Sequence, residues 1–326
     1  MSAGTRAPSV VATQQGARRR LRAPRQGVAA LLVRAAGTRR GRVGLTITAI
    51  VVLIAAVGPF VAPYSPTQIV TTAYAKPSRG IWLGADTLGR DVLSRVLDGG
   101  WVLLLMALIA TLLGVGLGTL AGVSAAYLRG WADHAIMRTV DVVLAFPQLV
   151  FALLLVSLMG PQLWLIVLAI AVSHAPQVAR VMHSSAVRIS EQPFVKAKEL
   201  NGFRPLRIMV SDIIPNLASP IVVELGLRLT FSIVVMAGLS FLGFGQPPPQ
   251  PNWGYMISEN RLGLGLNPWG VVVPALLIAL LTVGTNTFGD AAARVSMGAA
   301  GRTGELDLVS EVVGGTGATE HQGSDS

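Results

Sequence analysis

Long apolar stretches without an ionisable side chain constrain this chain more than any other feature of its sequence. Residues 43–62, 101–128 and 142–179 contain no Asp, Glu, Lys or Arg. A bilayer core requires about 20 mainly apolar residues per helix, and helices satisfy their backbone hydrogen bonds internally. Each stretch is therefore long enough to form one transmembrane helix, and the last is long enough for two.

The composition agrees with this interpretation. Only 13% of the residues are charged and 52% are hydrophobic, whereas soluble domains carry about 25% charged residues. The third stretch is divided at Gly160-Pro161-Gln162, which predicts a tight turn between two spans. The predicted fold is an all-α integral membrane protein with about six transmembrane helices, at residues 43–62, 101–128, 142–159, 162–179, 217–245 and 268–289.

Basic residues predict the orientation of these spans. Ten of the 26 Lys and Arg residues precede position 43, and an excess of basic residues marks the cytoplasmic side of a membrane protein. With six spans, both termini are cytoplasmic, and the cytoplasmic segments then hold 20 basic residues against five outside. Residues 1–42 and 291–326 are predicted to be disordered tails. The basic tail lacks interleaved aromatic residues, so we do not expect nucleic-acid binding.

The cytoplasmic loop at residues 190–216 has the pattern of two short helices joined by a turn. Ser190 is a plausible cap with Pro193 in the first turn, and Asn201-Gly202 is a helix stop. The second helix restarts at Arg204-Pro205, ends at Pro215-Asn216, and places on one face Leu206, Met209, Val210 and Ile213. An apolar patch with a basic rim predicts a docking surface, whereas an ordinary basic loop on lipid headgroups is the alternative.

This loop resembles the permease subunits of binding-protein-dependent ATP-binding-cassette importers. Their cytoplasmic signature is Glu-Ala-Ala, three residues, Gly, nine residues and Ile-x-Leu-Pro. Ala197, Gly202 and Pro215 match it at the right spacing. Lys196 and Lys198 depart from it, since they stand where the signature has Glu and the second Ala.

Four further blocks resemble the dipeptide, oligopeptide and nickel branch of these permeases, in its shorter, C-type form. They are LGADTLGRDVLSR at 83–95, MRTVDVVLAFP at 137–147, GLSFLGFG at 238–245 with PNWG at 251–254, and NTFGD at 286–290. The blocks occur in order between residues 83 and 290. They cover most of the predicted membrane domain and leave out the first span and both tails.

The resemblance implies the type I importer permease fold in the inner membrane of a bacterium. It implies a second, similar permease, two ATPase subunits and an external substrate-binding protein as partners. The loop residues expected to contact an ATPase subunit are Ala197, Gly202, Leu206, Met209, Ile213, Pro215 and Asn216. The chain has no phosphate-binding loop of the form G-x-x-x-x-G-K-[ST], so ATP and Mg²⁺ are expected on the partners.

The chain is therefore expected to be a transport subunit without catalytic residues, cofactor or metal of its own. Peptide is the expected cargo, and nickel or another small solute is the alternative within this branch. A secondary transporter is a weaker alternative, because Glu224 is the only acidic residue within a predicted span. An intramembrane enzyme would need a nucleophile with a base or a metal site, for which the sequence offers no motif.

Two sets of candidate functional residues, most of them charged, lie outside the loop. The first lies in the external segment and comprises Asp86, Gly89, Arg90, Asp91, Ser94 and Arg95. We expect either an amphipathic helix on the membrane surface, capped by Asp86, or a gating or binding-protein contact. The second is Glu224 and Arg228, which lie one helical turn apart in span five and can pair on one face. His174 is expected to be a packing residue with satisfied hydrogen bonds.

Overall fold

The structure is a computed structural model that describes residues 28–316, apart from positions 161 and 247, with side chains as far as residue 296. Within these residues the regular structure is helical, and β-structure is confined to isolated bridges between residues 69 and 91. The helices are α1 Val28–Gly37, α2 Arg39–Val61, α3 Val92–Asp98, α4 Trp101–Leu128, α5 Gly130–Leu144, α6 Gln148–Met159, α7 Leu163–Ser190, α8 Pro193–Leu200, α9 Pro205–Ile208, α10 Ile214–Asn216, α11 Ala218–Phe241, α12 Trp253–Asn260 and α13 Trp269–Thr316.

Five helices in the described part of the chain are long and apolar enough to cross a membrane, and a bent pair raises the number to six. The spans are α2, α4 with the preceding α3, α7, α11 and the first part of α13. The predicted span at residues 101–128 coincides with α4. Helices α2, α7 and α13 extend beyond one end of their predicted spans, and α11 is shorter than its predicted span. The prediction of an all-helical membrane protein with about six spans is confirmed in this form.

The predicted third span at residues 142–159 is wrong as a single straight helix. Helices α5 and α6 meet at a bend of 89°, with Pro147 immediately before α6. Proline has no N–H to donate, and its ring displaces the preceding turn, so the helix breaks there. The 12 residues of α6 extend only about 18 Å, which is shorter than a bilayer core.

Parts of both predicted tails are helical, which corrects the prediction of disorder for residues 28–42 and 291–316. Helix α1 ends beside Thr38, whose side chain caps α2 by accepting a 3.0 Å hydrogen bond from Gly41 N. Leu31 and Ala35 of α1 are buried against Ala218 of α11 and other residues of the helix core. This packing stabilises a segment whose Arg-rich sequence predicts no structure. Residues 1–27 and 317–326 lie outside the described residues.

Glycines allow the two most extensively packed helices, α4 and α7, to approach closely. A Cβ at Gly118 would lie 2.5 Å from Ala175 O, and one at Gly122 would lie 2.3 Å from Ala179 O. Small residues four apart let membrane helices pack backbone to backbone, where dispersion and not water exclusion drives association. Gly118 and Gly122 therefore determine the separation of α4 and α7.

Candidate functional site

Helices α8 and α9 form the predicted helix pair on the loop between α7 and α11. Gln192, and not Ser190, is the residue that precedes the first helical position Pro193. Ser190 is the last residue of α7 and donates a 2.9 Å hydrogen bond to Val187 O. The prediction that Ser190 caps α8 is wrong, because α7 extends beyond its predicted end at residue 179 and includes Ser190.

Gly202 forms the turn between α8 and α9 in the left-handed conformation, with φ of +75°. Gly202 N donates to Glu199 O at 3.0 Å, and Phe203 N donates to Lys198 O at 3.2 Å. These two bonds satisfy carbonyls at the end of α8 in the arrangement of a Schellman motif, whose C′ position favours glycine. The sequence prediction of a glycine turn at this position is confirmed.

The second helix does not bury the face that the sequence predicts. Ile208, Met209 and Ile213 are buried, but Leu206 is 69% exposed and Val210 is 53% exposed. The segment Met209–Ile213 is a π-helix, which has more residues per turn than an α-helix. Its side chains therefore point in directions that differ from those an α-helical pattern predicts. The predicted grouping of all four apolar residues on one face is therefore wrong.

The buried face connects the loop to the transmembrane helices. Ile208, Met209 and Ile213 belong to one apolar cluster with residues of α4 and α7, including Val123 and Met182. Closely packed protein interiors have low compressibility, so they transmit a displacement of one element to its neighbours. A movement of α9 would therefore be transmitted to α4 and α7.

The exposed face of the loop forms a cleft, named here the cytoplasmic patch after the orientation that the sequence predicts. Its apolar members are Phe203, Leu206 and Val210, and its rim holds Arg204 and Arg207. Leu200 at the end of α8 is 89% exposed beside it. Among the other predicted coupling residues, Ala197, Pro215 and Asn216 are also exposed. Apolar side chains on a basic, exposed loop indicate an interaction surface.

Lys198 and Asp212 join the two helices of the loop. Lys198 Nζ lies 2.7 Å from both carboxylate oxygens of Asp212, which is 2% exposed. The Lys198 ammonium also lies 5.8 Å from the centre of the Phe203 ring. Sequence reasoning found Lys198 only as a departure from the family signature and missed Asp212 as its partner, because the turn at Gly202 separates the two residues and helical spacing does not apply across it.

The charged residues of the predicted external segment form a buried cluster and not an exposed amphipathic helix. Arg90 Nε lies 2.7 Å from Asp86 Oδ2, and Arg90 Nη2 lies 2.5 Å from Glu259 Oε1. Arg95 Nη1 contacts Asp86 and lies 2.9 Å from Glu259 Oε2. Two acids and two arginines tolerate burial because each charge has an opposite partner. Sequence reasoning missed Glu259, which lies in α12, far along the chain.

The cap of this external helix also differs from the prediction. Asp91, and not Asp86, precedes α3 and accepts 2.8 and 2.6 Å hydrogen bonds from the backbone and side chain of Ser94. Gly89 has φ of +79°, and a Cβ there would lie 2.0 Å from Thr71 O. These residues fold the segment against itself, which is not the amphipathic surface helix of the first alternative. The second alternative, a gating or binding-protein contact, stays a prediction.

Glu224 and Arg228 pair within α11 as predicted. Arg228 Nε donates a 3.0 Å hydrogen bond to Glu224 Oε2, and both side chains are buried. Arg228 Nη1 also donates to Gln177 Oε1 of α7. His174 is buried, with Nδ1 2.7 Å from Gln148 Nε2 and Nε2 3.0 Å from Ser232 Oγ. The expectation that His174 is a packing residue with satisfied hydrogen bonds agrees with these contacts.

Comparison with known proteins identifies the family. Residues 114–295, more than half of the chain, match the family described as "Binding-protein-dependent transport system inner membrane component". This chain belongs to that permease family. Residues 39–77 match the "N-terminal TM domain of oligopeptide transport permease C", which extends the likeness to α2 and the start of the external segment.

The similar proteins include three permeases named "Glutathione transport system permease protein GsiD". The one from Pectobacterium atrosepticum is 36% identical over 214 residues, which are 66% of this chain and 71% of the relative. Those from Escherichia coli and Shigella boydii are 35% identical over 257 residues, 77% of this chain and 85% of each relative.

These findings establish the class of the protein. It is an inner-membrane permease subunit of an ATP-binding-cassette importer of the oligopeptide branch. Its family and relatives are transport subunits and not enzymes. The family implies ATPase and substrate-binding-protein partners.

Proposed function

We propose that this permease forms one half of a translocation pathway for small peptides, in a pair with a second, similar permease. Two ATPase subunits lie on the cytoplasmic side, and an external binding protein delivers the cargo. Both termini are cytoplasmic in this proposal, which the excess of basic residues on that side supports. ATP binding closes the ATPase pair, and the two permeases then alternate between outward and inward access around a shared pathway.

The cytoplasmic patch is the observation that carries the coupling part of this proposal. Phe203, Leu206 and Val210 are available to a partner, while Ile208 and Ile213 on the opposite face pack with the transmembrane core. A partner that binds the patch is therefore mechanically connected to α4 and α7. Ala197, Pro215 and Asn216 extend the exposed side of the same loop.

The proposal of a peptide cargo rests on the family branch and on the relatives. Glutathione, which the relatives' names specify, is a small peptide, and the family match at residues 39–77 names an oligopeptide permease. In this proposal the binding protein selects the cargo, and the permease pair provides a pathway that accepts the peptide backbone.

The substitution Gly202→Val tests the coupling role of the loop. Gly202 has φ of +75°, a conformation that is strained for any residue with a Cβ. No other atom lies within 4 Å of the place that a Cβ would occupy. We therefore expect misalignment of α9 without a steric clash, loss of peptide uptake and reduced co-purification of the ATPase, with normal membrane insertion. The control is Gly265→Val, an exposed external position without positive φ. Full uptake and full ATPase retention in Gly202→Val would refute the coupling role.

A further inference from the structure

The bend between α5 and α6 lies deep in the membrane-spanning part of the molecule. Gln148, the first residue of α6, has Nε2 2.7 Å from His174 Nδ1 of α7, and His174 Nε2 lies 3.0 Å from Ser232 Oγ of α11. Ser232 Oγ in turn lies 3.0 Å from Thr111 Oγ1 of α4. His174 is the twelfth residue of α7, about 17 Å along that helix, and a bilayer core is about 30 Å thick. The bend is therefore near the middle of the bilayer.

Six backbone polar groups at this bend have no hydrogen-bond partner among the residues that the structure describes. They are the three N–H groups of residues 148–150, which begin α6, and the three C=O groups of residues 144–146, at the end of α5 and in the break. Pro147 occupies the cap position of α6 and provides no side-chain hydrogen bond. Hydrocarbon strongly disfavours unpaired backbone groups, so irregular backbone at membrane depth is tolerated only where it is buried in protein or lines a water-filled cavity.

One side of the bend is not covered by the rest of the described chain. Val142 of α5 is 58% exposed, Phe146 at the break is 51% exposed, and Val150 of α6 is 55% exposed. The opposite side of α6, with Ala152 and Val156, is buried in the main apolar cluster. The groups that satisfy the bend must therefore come from outside the described part of this subunit.

Two features beside the bend favour water over lipid as its solvent. A cavity of about 20 Å³ is lined in part by the polar side chains of Gln148, Ser173 and Gln177. One water needs about 10–15 Å³ and two to four polar partners, so the cavity fits a single water. About 9 Å further along α7 than His174, Arg180 contacts Asp141 of α5, and the two side chains are 60% and 44% exposed. Charged side chains within spans face a protein interior or an aqueous cavity, so this exposed pair also indicates water.

We propose that the exposed side of the bend lines the water-filled pathway between this permease and the second one. Water in the pathway hydrates the six backbone groups, which lipid cannot do, and the side chains of Phe146 and Val150 border the passage of the cargo. This proposal rests on the proposed pair of permeases with alternating access. In that cycle, the access of water to the bend differs between the resting state and the state with ATP bound.

Cysteine labelling tests this placement, because the chain contains no cysteine and an introduced thiol is the only one on this subunit. The complete importer with Phe146→Cys or Val150→Cys is reconstituted in proteoliposomes with its binding protein. A quaternary-ammonium thiosulfonate, which does not enter lipid, is present on both sides of the membrane. Leu112→Cys is the matched control, since Leu112 is 53% exposed and adjoins Thr111 at the same depth, but lies in the unbroken helix α4.

Both bend thiols should react at least about 10-fold faster than the thiol of Leu112→Cys, because only the thiolate reacts and lipid disfavours a charged group. Their rates should change when a non-hydrolysable ATP analogue is added. Rates no faster than that of Leu112→Cys, with and without the analogue, would overturn the placement and leave the importer class intact.

Uptake after labelling distinguishes the pathway from a water-filled crevice elsewhere. A bulky fixed charge at Phe146→Cys or Val150→Cys should remove most of the ATP-driven uptake of labelled trialanine. The same modification of Gly265→Cys, at an exposed position of the predicted external side, should leave uptake unchanged. Full uptake after complete labelling of both bend variants would overturn the proposal. Failure of the unsubstituted importer to take up trialanine would instead refute the proposed cargo, and the labelling rates would still decide whether water reaches the bend.

Discussion

Lys198→Met should destabilise the loop formed by α8 and α9 more than Asp212→Asn does. Asp212 is 2% exposed and accepts both 2.7 Å contacts from the Lys198 ammonium, whereas the lysine side chain is 37% exposed. Lys198→Met thus leaves a carboxylate buried without its ammonium partner. Asp212→Asn leaves a lysine that can turn towards water. Removing one member of a buried ion pair costs about 3–5 kcal/mol, and the exposure of Lys198 reduces this to about 1–3 kcal/mol.

The consequence should extend beyond stability. Lys198 lies at the end of α8 and Asp212 in the π-helical turn, so their contact holds the two helices of the cytoplasmic patch together. We expect Lys198→Met to lower the melting temperature of the purified permease complex and to reduce ATPase co-purification. Asp212→Asn should have a smaller effect, about 1 kcal/mol, the value of an ordinary hydrogen bond.

A double-mutant cycle measures the interaction directly. In Lys198→Met/Asp212→Asn the buried charge is gone, so part of the stability lost in Lys198→Met should return. Lys196→Met is the matched control, because Lys196 is an exposed lysine on the same short helix and exposed charges contribute little. Additive losses in the cycle, or equal effects of Lys196→Met and Lys198→Met, would refute the reasoning.

Two other predictions follow from the membrane helices. Gly118→Ala would place a Cβ 2.5 Å from Ala175 O, and this overpacking should destabilise the complex by about 1–3 kcal/mol in thermal unfolding. Gly116→Ala is the control, because no atom lies within 4 Å of its added Cβ. Equal stabilities of the two variants would contradict the close approach of α4 and α7. Glu224→Gln leaves the Arg228 charge buried without its carboxylate and should lower the free energy of unfolding by about 3 kcal/mol. Adding Arg228→Gln in the same chain should restore part of that stability, and a double-mutant cycle without coupling would exclude direct pairing.

Local patterns in the sequence were sufficient for much of this fold and for part of the candidate site. A charge-free run predicts α4 to the residue, because a helix in lipid needs length and apolarity and little else. The turn at Gly202 and the Glu224–Arg228 pair are also local, since glycine favours positive φ and an i, i+4 spacing places two side chains on one face. The sequence also contained the family motifs that identify the permease class.

Only the tertiary structure decided which distant groups meet. Glu259 pairs with Arg90 across 169 positions, and Lys198 pairs with Asp212 across the turn at Gly202, so each pair joins residues of different structural elements, which no local period relates. The 89° bend before α6 depends on packing around Pro147 as well as on the proline itself, since α7 and α13 also contain proline within helices that continue. Local periodicity predicts helices and their apolar faces. A charge is tolerated in the interior only where folding places an opposite charge beside it, so three-dimensional packing determines which residues pair.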